Sequence, residues 1–360
     1  MNTDAIILGT ALLVSTACSV LGVFLVLRRL SLLADAISHA VLPGIVLAFW
    51  LTHGERATLP ALIGAGALGL VTVTLVEALV RSGRVKGDAA IGLVFPALFS
   101  IGVIAVSLFY QNVHLDLDAV LYGEIAYAPF NDLTLFGRNL GPESLWLMGA
   151  VTAVNLAFIT LFYKELKLST FDAGLAAALG FLPSVLHYTL MTLVSVTTVA
   201  AFESVGAILV VAFMIVPAAT ASLLTSRLAS VILVSVLAGA TASVLGYVLA
   251  ILLDASIAGM IATVLGAQFA LALLFSPSVG ALTTLARRAQ QRRAFAARLL
   301  LTHLSHHEGR PVPDAELTEE FGWENAFLRA ATGVAERERW VSRAGEGWIL
   351  TPEGERQTHA

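Results

Sequence analysis

The stretch VGAILVVAFMIV, Val205–Val216, runs twelve residues without a charged or hydroxyl side chain and without any alternation of polar and apolar positions. A strand of a transmembrane barrel would show that alternation. In hydrocarbon the backbone amides must find partners within the segment itself, so an unbroken apolar run of this kind reads as a helix. It lies inside AFESVGAILVVAFMIVPAATA, Ala201–Ala221. Similar runs of about 20 residues, the length a helix needs to cross a bilayer, recur along most of the chain. Of its 360 residues 58% are hydrophobic and 13% charged, and the mean hydropathy is +0.85. A soluble globular domain carries about 25% charged residues. The expected fold is therefore an all-α polytopic membrane protein.

Working outward, apolar runs predict nine spans near 5–27, 36–52, 59–80, 89–110, 143–163, 181–200, 204–225, 228–253 and 257–276. The 181–225 region is the least separated, with only a few residues around Glu203 between two spans. The first segment, Asp4–Leu27, lacks a basic n-region and a small-residue cleavage site and reads as a retained span. Cys18 is the single cysteine, so neither a disulfide nor a cysteine metal site is expected. Basic residues follow the odd-numbered spans: Arg28 and Arg29, Arg81 with Arg84 and Lys86, Lys164 and Lys167, Arg227, then Arg287 and Arg288. The opposite loops hold Glu55, Asp116, Asp118, Glu124, Asp132, Glu143 and Asp254. The positive-inside rule then places the N-terminus outside and the C-terminus in the cytosol.

Two connections stand out. The outer stretch 111–142 mixes polar residues, Gly123, Pro129 and Gly141 with an apolar component, and reads as a structured loop or short re-entrant helix suited to docking an external protein. The inner stretch 164–180, KELKLSTFDAGLAAALG, reads as a short helix capped by Ser169 or Thr170, either a force-transmitting element or a solvated interfacial helix.

Beyond Pro277 the composition changes, dividing the chain into a transmembrane domain, 1–286, and a cytosolic domain, 287–360. The latter holds 11 Arg against 11 Asp plus Glu. Its pattern predicts a long helix through Arg287–His307, helices near Pro313–Phe321 and Glu324–Arg339, and two strands in WVSRAGEGWILTPEG, Trp340–Gly354. Three helices followed by a hairpin is the winged-helix order.

The chemistry is carried first by DAISHAVLPG, Asp35–Gly44. Asp35 and His39 are four residues apart and share one helical face. A carboxylate and an imidazole together suit Mn, Fe or Zn, and ionisable groups at membrane depth are costly enough to be functional candidates. The competing reading makes Asp35 a helix cap and His39 a hydrogen-bonding partner across helices. Pro43 and Gly44 allow a local break. Glu203, a lone carboxylate in an apolar run, is the second candidate, against its reading as an ordinary Glu in a short external turn. His187 is weaker and reads as a packing residue. The three lysines, Lys86, Lys164 and Lys167, include none in a G-x-x-x-x-G-K-[ST] loop, so any ATP-driven step requires a separate ATPase subunit. No H-E-x-x-H occurs, which argues against an intramembrane metalloprotease.

These residues resemble a known family, the membrane permeases of ABC importers for manganese, zinc and iron. The resemblance rests on RRLSLLADAISHAVLPGIVLAF (Arg28–Phe49), VKGDAAIGLVFPALFSIGVI (Val85–Ile104), LDAVLYGEI (Leu117–Ile125), LSTFDAGLAAALGF (Leu168–Phe181) and Ala201–Ala221, in that order. It implies the ABC importer permease fold, with eight or nine spans per subunit, in a bacterial cytoplasmic (inner) membrane. It makes Asp35 and His39 a metal-contacting pair and puts Glu203 at the family's acidic or amide position. FDAGLAAALG becomes the helix that touches a cytosolic ATP-binding subunit. The implied partners are that ATPase, an extracytoplasmic metal-binding protein and a second permease subunit, identical or paralogous. No resident cofactor and no catalytic site are expected, the metal ion being cargo.

The tail is similar to the wing of diphtheria-toxin-repressor-type regulators, a fusion associated with manganese-type permeases, which favours manganese over zinc or iron. DNA is not an expected partner: Arg329, Arg337 and Arg339 are balanced by Glu324, Glu336 and Glu338, whereas a DNA reader shows a basic face. A regulatory or subunit-contact role is expected instead, either metal-responsive through His303, His306 and His307 or with those histidines as a polar helix end. Two other functions compete: a proton-coupled secondary metal transporter, which needs no ATPase, and a membrane-tethered metal-responsive regulator.

Overall fold

The first helix, α1 (Thr3–Leu27), is rich in small residues along its length, and these let its neighbours approach closely. The structure, a computed structural model, describes residues 2–52, 58–109, 125–130, 132–135, 138–276, 280–307 and 309–358. α1 is followed by α2 (Ser31–Ala40), α3 (Leu42–Leu51), α4 (Thr58–Arg81) and α5 (Gly87–Phe109). A 3₁₀ turn, Ile125–Phe130, and a hairpin of β1 (Asp132–Leu135) and β2 (Arg138–Pro142) lead into α6 (Glu143–Leu161). Then come α7 (Tyr163–Phe171), α8 (Ala173–Ala178), α9 (Pro183–Val205), α10 (Ala207–Leu224), α11 (Leu228–Leu253) and α12 (Ile257–Phe275). Among the described residues nine segments are long and apolar enough to span a membrane, α2 and α3 counting together as one. The chain divides into two compact units, 1–273 and 274–360.

α1 is the axis of the first unit, packed against α6, α10 and α11. Gly22 lies so close to α10 that a Cβ there would overlap the Met214 carbonyl. Several polar side chains inside the bundle pair across helices, which offsets the cost of burying them. Thr10 and Ser144 hydroxyls are 3.1 Å apart, Thr152 donates to the Leu13 carbonyl at 3.1 Å, and Asn155 donates to Thr197 at 2.8 Å. Cys18 is buried and serves as core filler. Large apolar side chains such as Leu233, Leu245 and Leu252 point outward, as they do where lipid is the solvent.

Several expectations are revised. The second span begins at Ser31, not 36, and is two helices broken at Val41. The 181–225 region, by contrast, holds the two separate helices expected, α9 and α10, parted where Gly206 (φ 81°, ψ 162°) takes a conformation open to glycine alone. Glu203 is thereby in the last turn of α9 rather than in an external turn. The inner stretch holds two short helices, and neither Ser169 nor Thr170 caps one. Both lie within α7, and Asp172 caps α8 by accepting from the Leu175 amide at 2.8 Å. Of the outer stretch, 111–124, 131 and 136–137 lie outside the described residues, and with them most of the Leu117–Ile125 segment; the described part holds the 3₁₀ turn and the two hairpin strands.

The second unit comprises α13 (Ala281–Ser305), β3 (Val312–Pro313), α14 (Asp314–Phe321), α15 (Asn325–Arg337), β4 (Val341–Ala344), β5 (Gly347–Leu350) and α16 (Pro352–Thr358). Its three strands pair antiparallel in the order β3-β5-β4. Leu300 and Leu304 of α13, Leu317, Leu328, Val341 and Trp348 form its core. α13 begins at Ala281, ahead of the predicted start at Arg287, and ends at Ser305. β3 and α16 were not apparent from the sequence: β3 is two residues long, and α16 follows directly on a strand.

Candidate functional site

α1 ends with Arg29 in the left-handed region, φ 59°, while Leu30 and Arg29 amides bond back to the Leu25 and Val26 carbonyls at 2.8 and 3.0 Å. This Schellman-type closure turns the chain sharply into α2. Asp35 is therefore inside α2, five residues past its N-cap Leu30, and does not cap it. His39 Nε2 sits 3.6 Å from Asp35 Oδ1, and the two side chains are 39% and 46% exposed. The spacing predicted from sequence is thus realised as a convergent, half-open pair.

The imidazole is held by two rings of α5. Phe99 meets it edge-on with centroids 6.2 Å apart, and Phe95 lies tilted at 6.1 Å. The helix break follows from Pro43, at the start of α3: it has no N–H to offer the His39 carbonyl, and its ring crowds that carbonyl. The carbonyl of His39 therefore lacks the α-helical donor that residue 43 would otherwise supply. α3 can approach α4 here because Gly44 and Gly64 face each other; a Cβ on either would overlap the other's carbonyl. Glu203 occupies the last turn of α9, and α2 packs against both α9 and α10. The Glu203 side chain lies outside the described residues.

A second polar centre, which the sequence reading does not single out, gathers α1, α4, α7 and α9. Arg28, the C-cap of α1, donates to Thr170 Oγ1 at 3.1 Å and Ser169 Oγ at 3.0 Å, and its Nη1 is 3.4 Å from His187 Nδ1. His187 Nε2 lies 2.9 Å from Glu77 Oε1. If Nδ1 accepts from the guanidinium, Nε2 carries the proton and donates to the carboxylate, so a neutral His187 bridges a cation and an anion. Tyr188 donates to Glu77 Oε2 at 2.9 Å and Arg81 at 3.0 Å. Burial pulls the Arg28 guanidinium below its usual pKa. Arg28, Glu77, Ser169, His187 and Tyr188 are among the residues that line a cavity of about 210 Å³ here. His187, read from sequence as a packing residue, is instead the link between the two charges. The signal available in the sequence was Glu77, a lone carboxylate within an apolar span.

Residues 3–276 match the model of the ABC 3 transport family. The chain is 46% identical over 283 residues to the manganese transport system membrane protein MntD of Bacillus subtilis, covering 79% of this chain and 95% of that one. It is also 46% identical to the zinc transport system membrane protein TroD of Treponema pallidum, over 353 residues, covering 96% and 95%. Among solved structures it resembles PsaBC from Streptococcus pneumoniae in complex with Fab, with TM-score 0.64 and 32% identity over 77% of this chain and 93% of that one. A family match over this much of the chain, carried on a bundle of apolar spans, has one meaning: the chain is a multi-pass membrane protein that belongs to the ABC 3 transport family.

Proposed function

We propose that the chain is the membrane-spanning subunit of an ATP-driven importer of a divalent transition metal, manganese in preference to zinc or iron. The observation that carries this is the Asp35–His39 pair on α2, half-open and backed by Phe95 and Phe99. One carboxylate, one imidazole and a carbonyl lacking its helical donor give an ion a few ligands of mixed type. A path needs such sparse coordination, because an ion bound too well does not leave. Glu203 adds a second acidic contact in this reading. Relatives named as manganese and zinc transport proteins support metal as the cargo without choosing between the two.

In this mechanism an external binding protein delivers a dehydrated ion, and Asp35, His39 and Glu203 hold it transiently. A separate ATPase subunit docks on α7 and α8, and a second permease subunit closes the path. Support for that docking site comes from the Arg28 guanidinium, which ties α7 to α1 and, through His187, to Glu77 on α4. A push on α7 therefore reaches two spans directly. In this orientation the N-terminus is outside and residues 287–360 form a cytosolic winged-helix domain; the helices α13, α14 and α15 and the three-stranded sheet support that fold.

Metal accumulation, measured by element analysis in cells expressing the chain with its partner subunits, tests the reading. One metal is expected to rise in wild type and to return to background in His39→Ala and Asp35→Ala. Undiminished accumulation in both variants would refute the site; no accumulation of any metal by the assembled wild type would refute the importer.

A further inference from the structure

The last turn of α13, the turn that follows it and the next helix, α14, bring together three groups that the importer mechanism does not use. His303, His307 and Glu316 each offer a ligand atom, and these atoms all lie within 4.8 Å of one another. We infer that they form a binding site for a divalent first-row transition metal, separate from the membrane path and lying wholly within the second unit.

The argument rests on where the protons sit. His307 Nδ1 is 3.0 Å from the His303 carbonyl, which can only accept, so Nδ1 carries the proton and donates it. Nε2 of the neutral ring then has a lone pair, and it faces Glu316 Oε1 at 3.4 Å. Two lone pairs facing each other across that gap favour a cation between or on them. A second proton on His307 would satisfy this pair. It would leave His303 Nε2 as it stands, buried and without a hydrogen-bond partner among the described residues. A metal ion satisfies all three groups at once.

The geometry suits the ion. Donors bound to Zn²⁺ at about 2.1 Å in a tetrahedron stand about 3.4 Å apart, and the His307–Glu316 separation has that value. The carbonyl bond to His307 Nδ1 is the outer contact that commonly fixes the tautomer and orientation of a ligating histidine. His303 is likewise held, with the edge of Phe321 against it at 5.1 Å and the His307 ring at 4.6 Å. A cation here also sits at the C-terminal end of α13, where helix carbonyls favour positive charge. His306 plays no part: it is exposed, and its Nδ1 donates to the Thr302 carbonyl at 2.7 Å. Two imidazoles and one carboxylate, with further positions open to water, favour Zn²⁺ over Mn²⁺ in affinity. The inference stands apart from the importer reading, since none of its residues belongs to the proposed path.

The test is a Co²⁺ titration of the full chain, purified in detergent micelles and followed by the visible d–d absorption of bound cobalt. A background carrying Asp35→Ala, His39→Ala and Glu203→Ala removes the proposed side-chain ligands of the path. One tightly bound Co²⁺ per chain is expected, displaced by Zn²⁺. His307→Ala should weaken it at least tenfold. Glu316→Gln, a conservative change at a half-exposed side chain, should weaken it with the unit still folded and should alter the spectrum. Unchanged affinity and spectrum in both variants, or no bound cobalt in the folded background chain, would overturn the inference.

Discussion

Replacing Glu77 with Gln probes whether the centre that joins α1, α4, α7 and α9 holds the bundle together at that end. The carboxylate takes hydrogen bonds from Tyr188 at 2.9 Å, His187 at 2.9 Å and Arg81 at 3.0 Å. A bond to a charged group contributes about 1.5–3 kcal/mol net, whereas an exposed ion pair contributes about 0–1 kcal/mol. Arg81 is 73% exposed, so its share lies at the low end, and Glu77 is itself 26% exposed, which trims the others. The Gln amide keeps one acceptor oxygen but turns an NH₂ toward a donor. One inner bond is therefore lost outright and the other loses its charge assistance, a total of about 2 kcal/mol, or roughly a 30-fold shift in the folded-to-unfolded ratio. Unfolding in SDS titrations of the micelle-embedded protein, followed by tryptophan fluorescence, reads this directly. Combined with His187→Ala, the double-mutant cycle should show a coupling of about 1 kcal/mol. A loss below about 0.5 kcal/mol for Glu77→Gln, or full additivity with His187→Ala, would refute the claim that His187 bridges the two charges.

Other substitutions test other joints. Gly22→Val places a branched side chain against the Met214 carbonyl and should exceed the usual overpacking cost of about 1–3 kcal/mol, seen as loss of monodisperse protein on size-exclusion chromatography. Asp172→Ala removes the cap of α8 and should cost about 1 kcal/mol locally, read as faster amide exchange at Leu175 with the spans unaffected. Trp348→Phe keeps the ring in the core of the second unit but deletes the indole donor to Asp314 Oδ1 at 2.7 Å. It should destabilise that unit by about 1 kcal/mol, measured as increased hydrogen exchange in β5.

What the sequence reveals here depends on how far apart in the chain the interacting groups lie. Apolar runs report directly on burial in lipid, so the spans are visible residue by residue. The break in the second span is legible because Pro43 carries its own cause, a missing N–H. The Gly206 turn between α9 and α10 is not, since glycine is also common where helices pack closely and only the φ value tells the two apart. Caps misled for a similar reason. Ser169 and Thr170 look like caps locally, yet both hydroxyls are engaged by Arg28 from more than a hundred residues away, and the chain waits until Asp172 to leave α7.

The same distinction governs the three polar sites. Asp35 with His39 on α2, and His303 at the end of α13 with His307 in the turn that follows it, are pairs four residues apart, a spacing that local geometry alone brings together. What turns either pair into a place with a chemical use comes from another element. For the first it is Phe95 and Phe99 of α5, which fix the imidazole; for the second it is Glu316 of α14, which completes the ligand set. The Glu77 centre has no such local pair to announce it beyond Glu77 and Arg81, an ordinary surface spacing at the end of a helix. Its bridge, His187, is supplied by a different span, and so its role emerges only once α4 and α9 are packed side by side. A lone ionisable residue in an apolar span is thus better read as half of a contact whose other half lies on a neighbouring helix than as a packing residue, and His187 and Glu77 are each other's missing half.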